Sequence, residues 1–201
     1  MKFIGITGGV GAGKTEVLNF IRQHYKCEIY LADEVAHLVK EPGTECYDRL
    51  VELMGREILQ ADGWIDKAKM ARQIFEDEQL LEQVNAIVHP AVQEYLLERL
   101  EMARANQQVE LFFVEAALLI EAGYEALVDE LWYVYADAEV RRSRLRVTRG
   151  YSQEKITAIM SNQLSEEEFR AHCDFVIDNS GTLEESMKQI KDKLEAYTWQ
   201  E

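Results

Sequence analysis

Cysteine is scarce in this 201-residue chain: there are three, at positions 27, 46 and 173, an odd number with no Cys-x-x-Cys pair. That spacing excludes a disulfide framework and a cysteine zinc site, and leaves three thiols expected to be buried. Positive charge is also short, since 22 Lys and Arg stand against 37 Asp and Glu for a net charge of −15 at pH 7. Nucleic-acid backbones are held by clustered positive charge, so general nucleic-acid binding is excluded, and a small anionic ligand would need a local basic pocket. Long apolar runs are missing: no segment approaches the roughly 18 consecutive apolar residues of a membrane span. The N-terminus leads directly into a strand-like segment without a signal sequence. The expectation is a cytoplasmic protein with no membrane partner. At 47% hydrophobic residues the chain can bury a substantial core as one domain with subdomain insertions.

What the chain does have is Gly8-Gly9-Val10-Gly11-Ala12-Gly13-Lys14-Thr15, which fits G-x-x-x-x-G-K-[ST]. Phe3, Ile4 and Ile6 precede it as a short apolar run of the kind found in buried parallel strands. Val17, Leu18, Phe20 and Ile21 follow at helical spacing. Strand, glycine loop and helix together make an anion site. Glycines at 8, 11 and 13 let successive amides curl around phosphate oxygens, and the helix beginning near Lys14 adds its positive N-terminal dipole. Lys14 supplies a mobile ammonium, the Thr15 hydroxyl suits Mg²⁺, and Glu16 offers only its backbone amide.

Five candidate strands fall around 3–7, 27–31, 110–115, 131–136 and 174–178, with helical patterns between them. Such alternation implies a parallel sheet covered on both faces, with ligands at the carboxyl ends of its strands. Nearly eighty residues between the second and third strands look helical throughout, with turn signals only at Pro42-Gly43 and Asp62-Gly63. This is too long for a crossover and reads as an inserted helical subdomain that covers a second substrate.

Three further places carry chemistry: Asp33, the end of the third strand, and a run of arginines. Asp33 falls just past the second strand, where a carboxylate can accept a hydroxyl proton or cap the helix that follows. Glu115 ends the strand Leu111-Phe112-Phe113-Val114-Glu115, a position from which phosphate-loop enzymes hold Mg²⁺ through a water. Glu121 reads by itself as an exposed helix residue. Arg141, Arg142, Arg144, Arg146 and Arg149 place five of the 22 basic residues within nine positions, as a lid over a nucleotide or as a solvated basic helix. His89-Pro90 interrupts a helical run and reads as a helix junction.

Taken in order, Thr7 to Thr15, Leu31-Ala32-Asp33-Glu34-Val35-Ala36, Glu41-Pro42-Gly43, Asp62-Gly63, Ile74-Phe75, Ile87-Val88-His89-Pro90, Leu118-Leu119-Ile120-Glu121 and Val176-Ile177-Asp178-Asn179-Ser180-Gly181 resemble dephospho-coenzyme A kinases. The resemblance covers nearly the whole chain. It implies an α/β phosphate-loop NTPase fold of three layers, with a five-stranded parallel sheet, an inserted helical substrate domain and a lid. Its segments are a core at 1–32, 108–138 and 160–201, a helical substrate subdomain at about 33–107, and a lid at about 139–159. The implied reaction is ATP- and Mg²⁺-dependent phosphorylation of the ribose 3′-hydroxyl of dephospho-CoA, the last step of CoA synthesis. On this resemblance Asp33 is the proton acceptor, and Lys14, Arg144 and Arg149 act on the phosphates. Gly8 through Glu16, including Gly9, Val10, Gly11, Ala12 and Gly13, hold ATP, joined by Asn179 and Gly181 near the adenine. The acceptor is shaped by Asp33, His89 and Glu121, and Mg²⁺ is held by Thr15 and Glu115. The expected assembly is a monomer or weak oligomer.

The chain departs from the family in four places. Asp-x-Asp becomes Leu31-Ala32-Asp33, Pro-Leu-Leu-Phe-Glu becomes Ala117-Leu118-Leu119-Ile120-Glu121, and Ile159 replaces a basic position upstream of Gln163. Arg-Leu-x-x-Arg becomes Arg144-Leu145-Arg146-Val147-Thr148-Arg149, with the second arginine displaced by one. Rival readings are a GTP-binding switch, which lacks its Asn-Lys-x-Asp motif here, a non-catalytic nucleotide-binding protein, and another small-molecule or nucleoside monophosphate kinase.

Overall fold

The structure is a computed structural model and describes residues 1–107 and 109–197. The chain separates into two compact units, one formed by Met1–Ile29 with the chain from Ala103 onward, the other by Tyr30–Met102. The first unit is built on β1 (Lys2–Thr7), the start of β2 (Cys27–Leu31), β3 (Leu111–Glu115), β4 (Glu130–Tyr135) and β5 (Phe175–Asp178). Each strand begins and ends within one residue of the sequence expectation. The strands form one parallel five-stranded sheet in the order β2-β3-β1-β4-β5. Ile4 lies opposite Phe113 and Glu130, and Trp132 opposite Phe175.

Helices cover both faces, so the strands read as unbroken apolar runs. Ile4, Ile6, Phe112, Phe113, Trp132 and Val134 are fully buried. Rings interlock edge to face across the sheet, Phe113 on Trp132 at 5.9 Å and Trp132 on Phe175 at 5.1 Å. The amino edge is tied by carboxylates: Asp129 accepts the Phe3 amide at 2.7 Å and Asp174 accepts the Leu131 amide at 2.8 Å. The carboxyl edge carries the loops. There β1 sends its connection to one side and its neighbour β4 to the other, which opens a crevice beside the glycine loop.

Around the sheet lie α1 (Lys14–His24), α6 (Ala138–Arg149), α7 (Gln153–Ser161), α8 (Glu166–His172) and α9 (Leu183–Glu195). Val17, Leu18, Phe20 and Ile21 form the buried stripe of α1. Reciprocal capping boxes, Ser165 with Glu168 and Thr182 with Glu185, start α8 and α9.

The second unit contains α2 (Ala32–Leu38), α3 (Glu45–Met54), α4 (Lys67–Glu76) and most of α5 (Glu78–Asn106). It is not helical throughout, since Leu59 and Ile65 form an antiparallel bridge across the Asp62-Gly63 turn. Thr44 caps α3 and Asp66 caps α4. Leu50, Met54, Ile58, Val84, Val88, Val92 and Leu96 are buried.

Three expectations are corrected here. His89-Pro90 is no helix junction: α5 runs through Pro90 without a break. Proline inside a helix loses one hydrogen bond and costs about 3 kcal/mol, but burial of Ile87, Val88 and Val92 on one face, at about 1.5–3 kcal/mol each, outweighs it. Asp33 does not cap α2: that helix begins at Ala32 with Leu31 at its N-cap, leaving Asp33 in the first turn. Of the thiols, Cys46 is buried but Cys27 and Cys173 are half-buried, and all three are free. No described helix is long and apolar enough to cross a membrane.

Candidate active site at the phosphate loop

Between β1 and α1 the chain turns through Gly8 and Gly13, whose φ values of +149° and +93° disfavour any residue with a side chain. A Cβ on Gly8 would collide with the Val134 carbonyl of β4, and one on Gly13 with the Asn179 side-chain amide. The loop therefore lies directly on the sheet and on the segment after β5. Its amides divide into two sets. Val10 donates to Gln163, Ala12 to the Gly9 carbonyl and Glu16 to the Gly13 carbonyl, so the expected Glu16 amide is already spent inside the helix turn. The amides of Gly11, Gly13, Lys14 and Thr15 face no protein acceptor among the described residues and remain open to an anion at the start of α1.

These residues border a cavity of about 740 Å³ lined by the loop, Thr15, Glu16, Glu115, Arg144, Leu145, Thr148, Arg149, Asn179 and Leu183. Lys14 folds back over the loop, its ammonium donating to the Gly8 carbonyl at 2.8 Å and lying 3.4 Å from Glu115 Oε1. Glu115 is brought there by the end of β3, which lies beside β1 in parallel register. Thr15 and Glu115 bring two hard oxygen donors to one cavity, a set that fits Mg²⁺, which keeps several waters and takes phosphate oxygens.

Helix α6 explains which arginines matter. Arg141, Arg144, Leu145 and Thr148 recur at i, i+3, i+4 and i+7 and share one face. Arg144 donates to the Ala12 carbonyl at 3.1 Å and to the Asn179 carbonyl at 2.8 Å. Arg141 donates to the Val10 carbonyl at 2.9 Å and to Gln163 at 2.6 Å, and burial pushes its guanidinium pKa down. Arg142 and Arg146 turn away to Thr157 and Gln153 of α7. Four residues after Arg144 stands Thr148, whose hydroxyl returns to the Arg144 carbonyl at 2.8 Å. Arg149, one further on, lines the cavity with no hydrogen-bond or ion-pair partner among the described residues.

Asn179 is buried, its amide donating to the Ala12 carbonyl at 2.7 Å and its oxygen accepting from Ser186 at 2.9 Å. The amide nitrogen thus serves the loop, while the oxygen ties the residue to α9. Of the remaining sequence candidates, Glu121 lies exposed in a turn and Gly181 just ahead of α9, neither lining this cavity. In the second unit, Asp33 lies in the first turn of α2 and His89 is exposed on α5. Sequence reasoning placed Arg141 in the basic cluster and Gln163 in the family pattern without giving either a role at the loop, and did not single out Thr148. Helical spacing from Arg144 was a readable signal for Arg141 and Thr148, whereas nothing in the sequence tied Gln163 to the loop.

The dephospho-CoA kinase family model matches residues 2–185, over nine-tenths of the chain. The chain belongs to the dephospho-CoA kinase family. This kinase is 38% identical over 197 residues to a dephospho-CoA kinase of Listeria monocytogenes, covering 98% of this chain and 97% of the relative. A crystal structure from Thermus thermophilus matches with a TM-score of 0.78 at 31% identity, covering 98% of both chains. The dephospho-CoA kinase of Campylobacter jejuni, at 19% identity and a TM-score of 0.69, covers 96% of this chain and 95% of its own and shares the fold. Family membership makes this kinase a phosphotransferase that uses ATP to phosphorylate dephospho-CoA.

Proposed function

We propose that the γ-phosphoryl group of ATP passes to the ribose 3′-hydroxyl of dephospho-CoA, giving CoA and ADP, with the residues of this chain in the following roles. The four open amides of the loop and Lys14 bind the β- and γ-phosphates. Thr15 and Glu115 would hold Mg²⁺, which would supply neutralisation of phosphate charge. Lys14 leaves Glu115 and Gly8 for the phosphates, keeping its cationic role while exchanging partners. Arg149, which lines the cavity without a partner among the described residues, closes over the transferred group, while Arg144 stays on the loop. Asp33 orients the 3′-hydroxyl and takes its proton as the O–P bond forms and the bond to ADP breaks. A loose transition state needs little early deprotonation, so alignment weighs as much as basicity.

What supports this reading above all is the convergence of open amides, Lys14, Arg144 and Arg149 on one cavity in a chain of net charge −15. We further read the enzyme as cytoplasmic, a monomer or weak oligomer, with neither nucleic acid nor membrane as partner; light scattering showing a concentration-independent trimer would overturn the oligomeric reading. The test of the reaction is a coupled ADP-release assay with ATP and Mg²⁺, offering dephospho-CoA beside adenosine, AMP and CMP. Turnover is expected with dephospho-CoA alone, reduced about 10²- to 10⁴-fold by Asp33→Asn while ATP still binds. Equal turnover with AMP would move the chain to another acceptor.

A further inference from the structure

Val10 lies within the glycine loop, and both of its backbone groups are held by side chains distant in sequence. Its amide donates to Gln163 Oε1 at 3.1 Å, and its carbonyl accepts from Arg141 Nε at 2.9 Å. The ring closes through a third bond, in which the Arg141 guanidinium donates to the same Gln163 oxygen at 2.6 Å. Arg141 packs so closely under the loop that a Cβ on Gly9 would collide with its guanidinium. Gln163 follows α7, and Arg141 belongs to α6, so one bridge ties the loop to the α6–α7 segment.

We infer that Arg141 and Gln163 are positioning residues that hold the phosphate loop in its nucleotide-ready form. A loop with positive φ at Gly8, Gly11 and Gly13 loses much conformational entropy when ordered, and that cost falls on ATP binding if nothing else orders it. The bridge occupies the Val10 amide, which therefore takes no phosphate, and leaves the amides of Gly11, Gly13, Lys14 and Thr15 aligned. It acts through the loop and touches neither phosphate nor acceptor. Charge alone does not account for it. Arg141 spends Nε on a carbonyl and a terminal nitrogen on an amide oxygen, a planar two-point grip that lysine cannot reproduce.

The inference rests on the loop binding ATP, but not on the identity of the acceptor. The decisive measurement is the ATP dissociation constant without acceptor, followed by steady-state kinetics, for Gln163→Leu, Gln163→Glu, Arg141→Met and Arg141→Met/Gln163→Leu. Thermal unfolding runs alongside. Gln163→Leu and Arg141→Met are expected to weaken ATP about 10-fold or more each, while KM for dephospho-CoA stays within about twofold. Gln163→Glu keeps the acceptor oxygen and is expected to bind ATP within about threefold of wild type. The double variant should be no weaker than about threefold below either single one, because one bridge is being broken. Wild-type ATP affinity in folded Gln163→Leu, or no rescue by glutamate, would overturn the inference, as would penalties that multiply in the double variant. If Gln163→Leu fails to fold, the same criteria apply to Gln163→Glu against Arg141→Met. A protein that binds ATP normally yet ignores dephospho-CoA would sink the proposed acceptor and leave this inference standing.

Discussion

The Ala12 carbonyl accepts two hydrogen bonds at the bend of the phosphate loop, 2.7 Å from the Asn179 side chain and 3.1 Å from Arg144, and Ala12 is 1% exposed. Removing either donor leaves the carbonyl satisfied by the other. Asn179→Ala loses its bond to Ala12, worth about 0.5–1.5 kcal/mol, and its bond from Ser186, which keeps alternative acceptors at the carbonyls of Asp178 and Thr182. Arg144→Met loses the bond to Ala12 and a second one to the Asn179 carbonyl, for about 1.5–3 kcal/mol. The double variant does more than add these, because a buried acceptor then has no partner, an added penalty of about 1–3 kcal/mol. Urea unfolding of wild type, both single variants and the double one should therefore yield a coupling of about 1–3 kcal/mol beyond additivity. Additivity within about 0.5 kcal/mol would refute the argument, since it would mean that water reaches the Ala12 carbonyl.

Other outcomes follow from the same geometry. Lys14→Met is expected to lower kcat/KM about 10²- to 10³-fold without altering the far-ultraviolet circular dichroism spectrum; a loss under tenfold would remove Lys14 from the phosphates. Pro90→Ala restores a helical amide inside α5 and should stabilise the fold by about 1–3 kcal/mol, raising Tm by roughly 2–4 °C per kcal/mol; a lower Tm would mean that the proline shapes the helix to its packing. Burial alone would raise the pKa of Glu130, but hydrogen bonds from Lys193, Trp132 and Tyr197 outweigh it and hold the carboxyl below its ordinary 4.5. Its stabilising contribution is thus present above pH 4.5 and lost as pH falls through the lower folded-state value. The urea midpoint of Glu130→Gln should trail wild type at pH 6 and converge with it below pH 4.5; a constant gap would refute that role.

Features carried by a few adjacent residues were legible in the sequence. The phosphate loop is one, because its chemistry depends on backbone amides and on glycines within eight positions. The five strands are another, because a parallel strand buried on both faces must be apolar along its length. The Pro90 reading failed for the complementary reason. Proline's local cost argues for a break, while the burial that overrides it comes from side chains packed within the second unit. Lid arginines were ambiguous as a run of five, and became distinct only when α6 set Arg141 and Arg144 against the loop and turned Arg142 and Arg146 toward α7.

By itself, then, the sequence determined the nucleotide loop, the parallel α/β sheet that presents it, and, through ordered motifs along the chain, the dephospho-CoA kinase family. Only the tertiary structure decided what holds the loop. Arg141 meets Val10 from 131 positions away, Gln163 from 153, and Asn179 meets Ala12 from 167. Local pattern encodes which face a residue occupies and which element it joins; the partner it finds there depends on how the sheet stacks those elements, and that is a property of the packed chain.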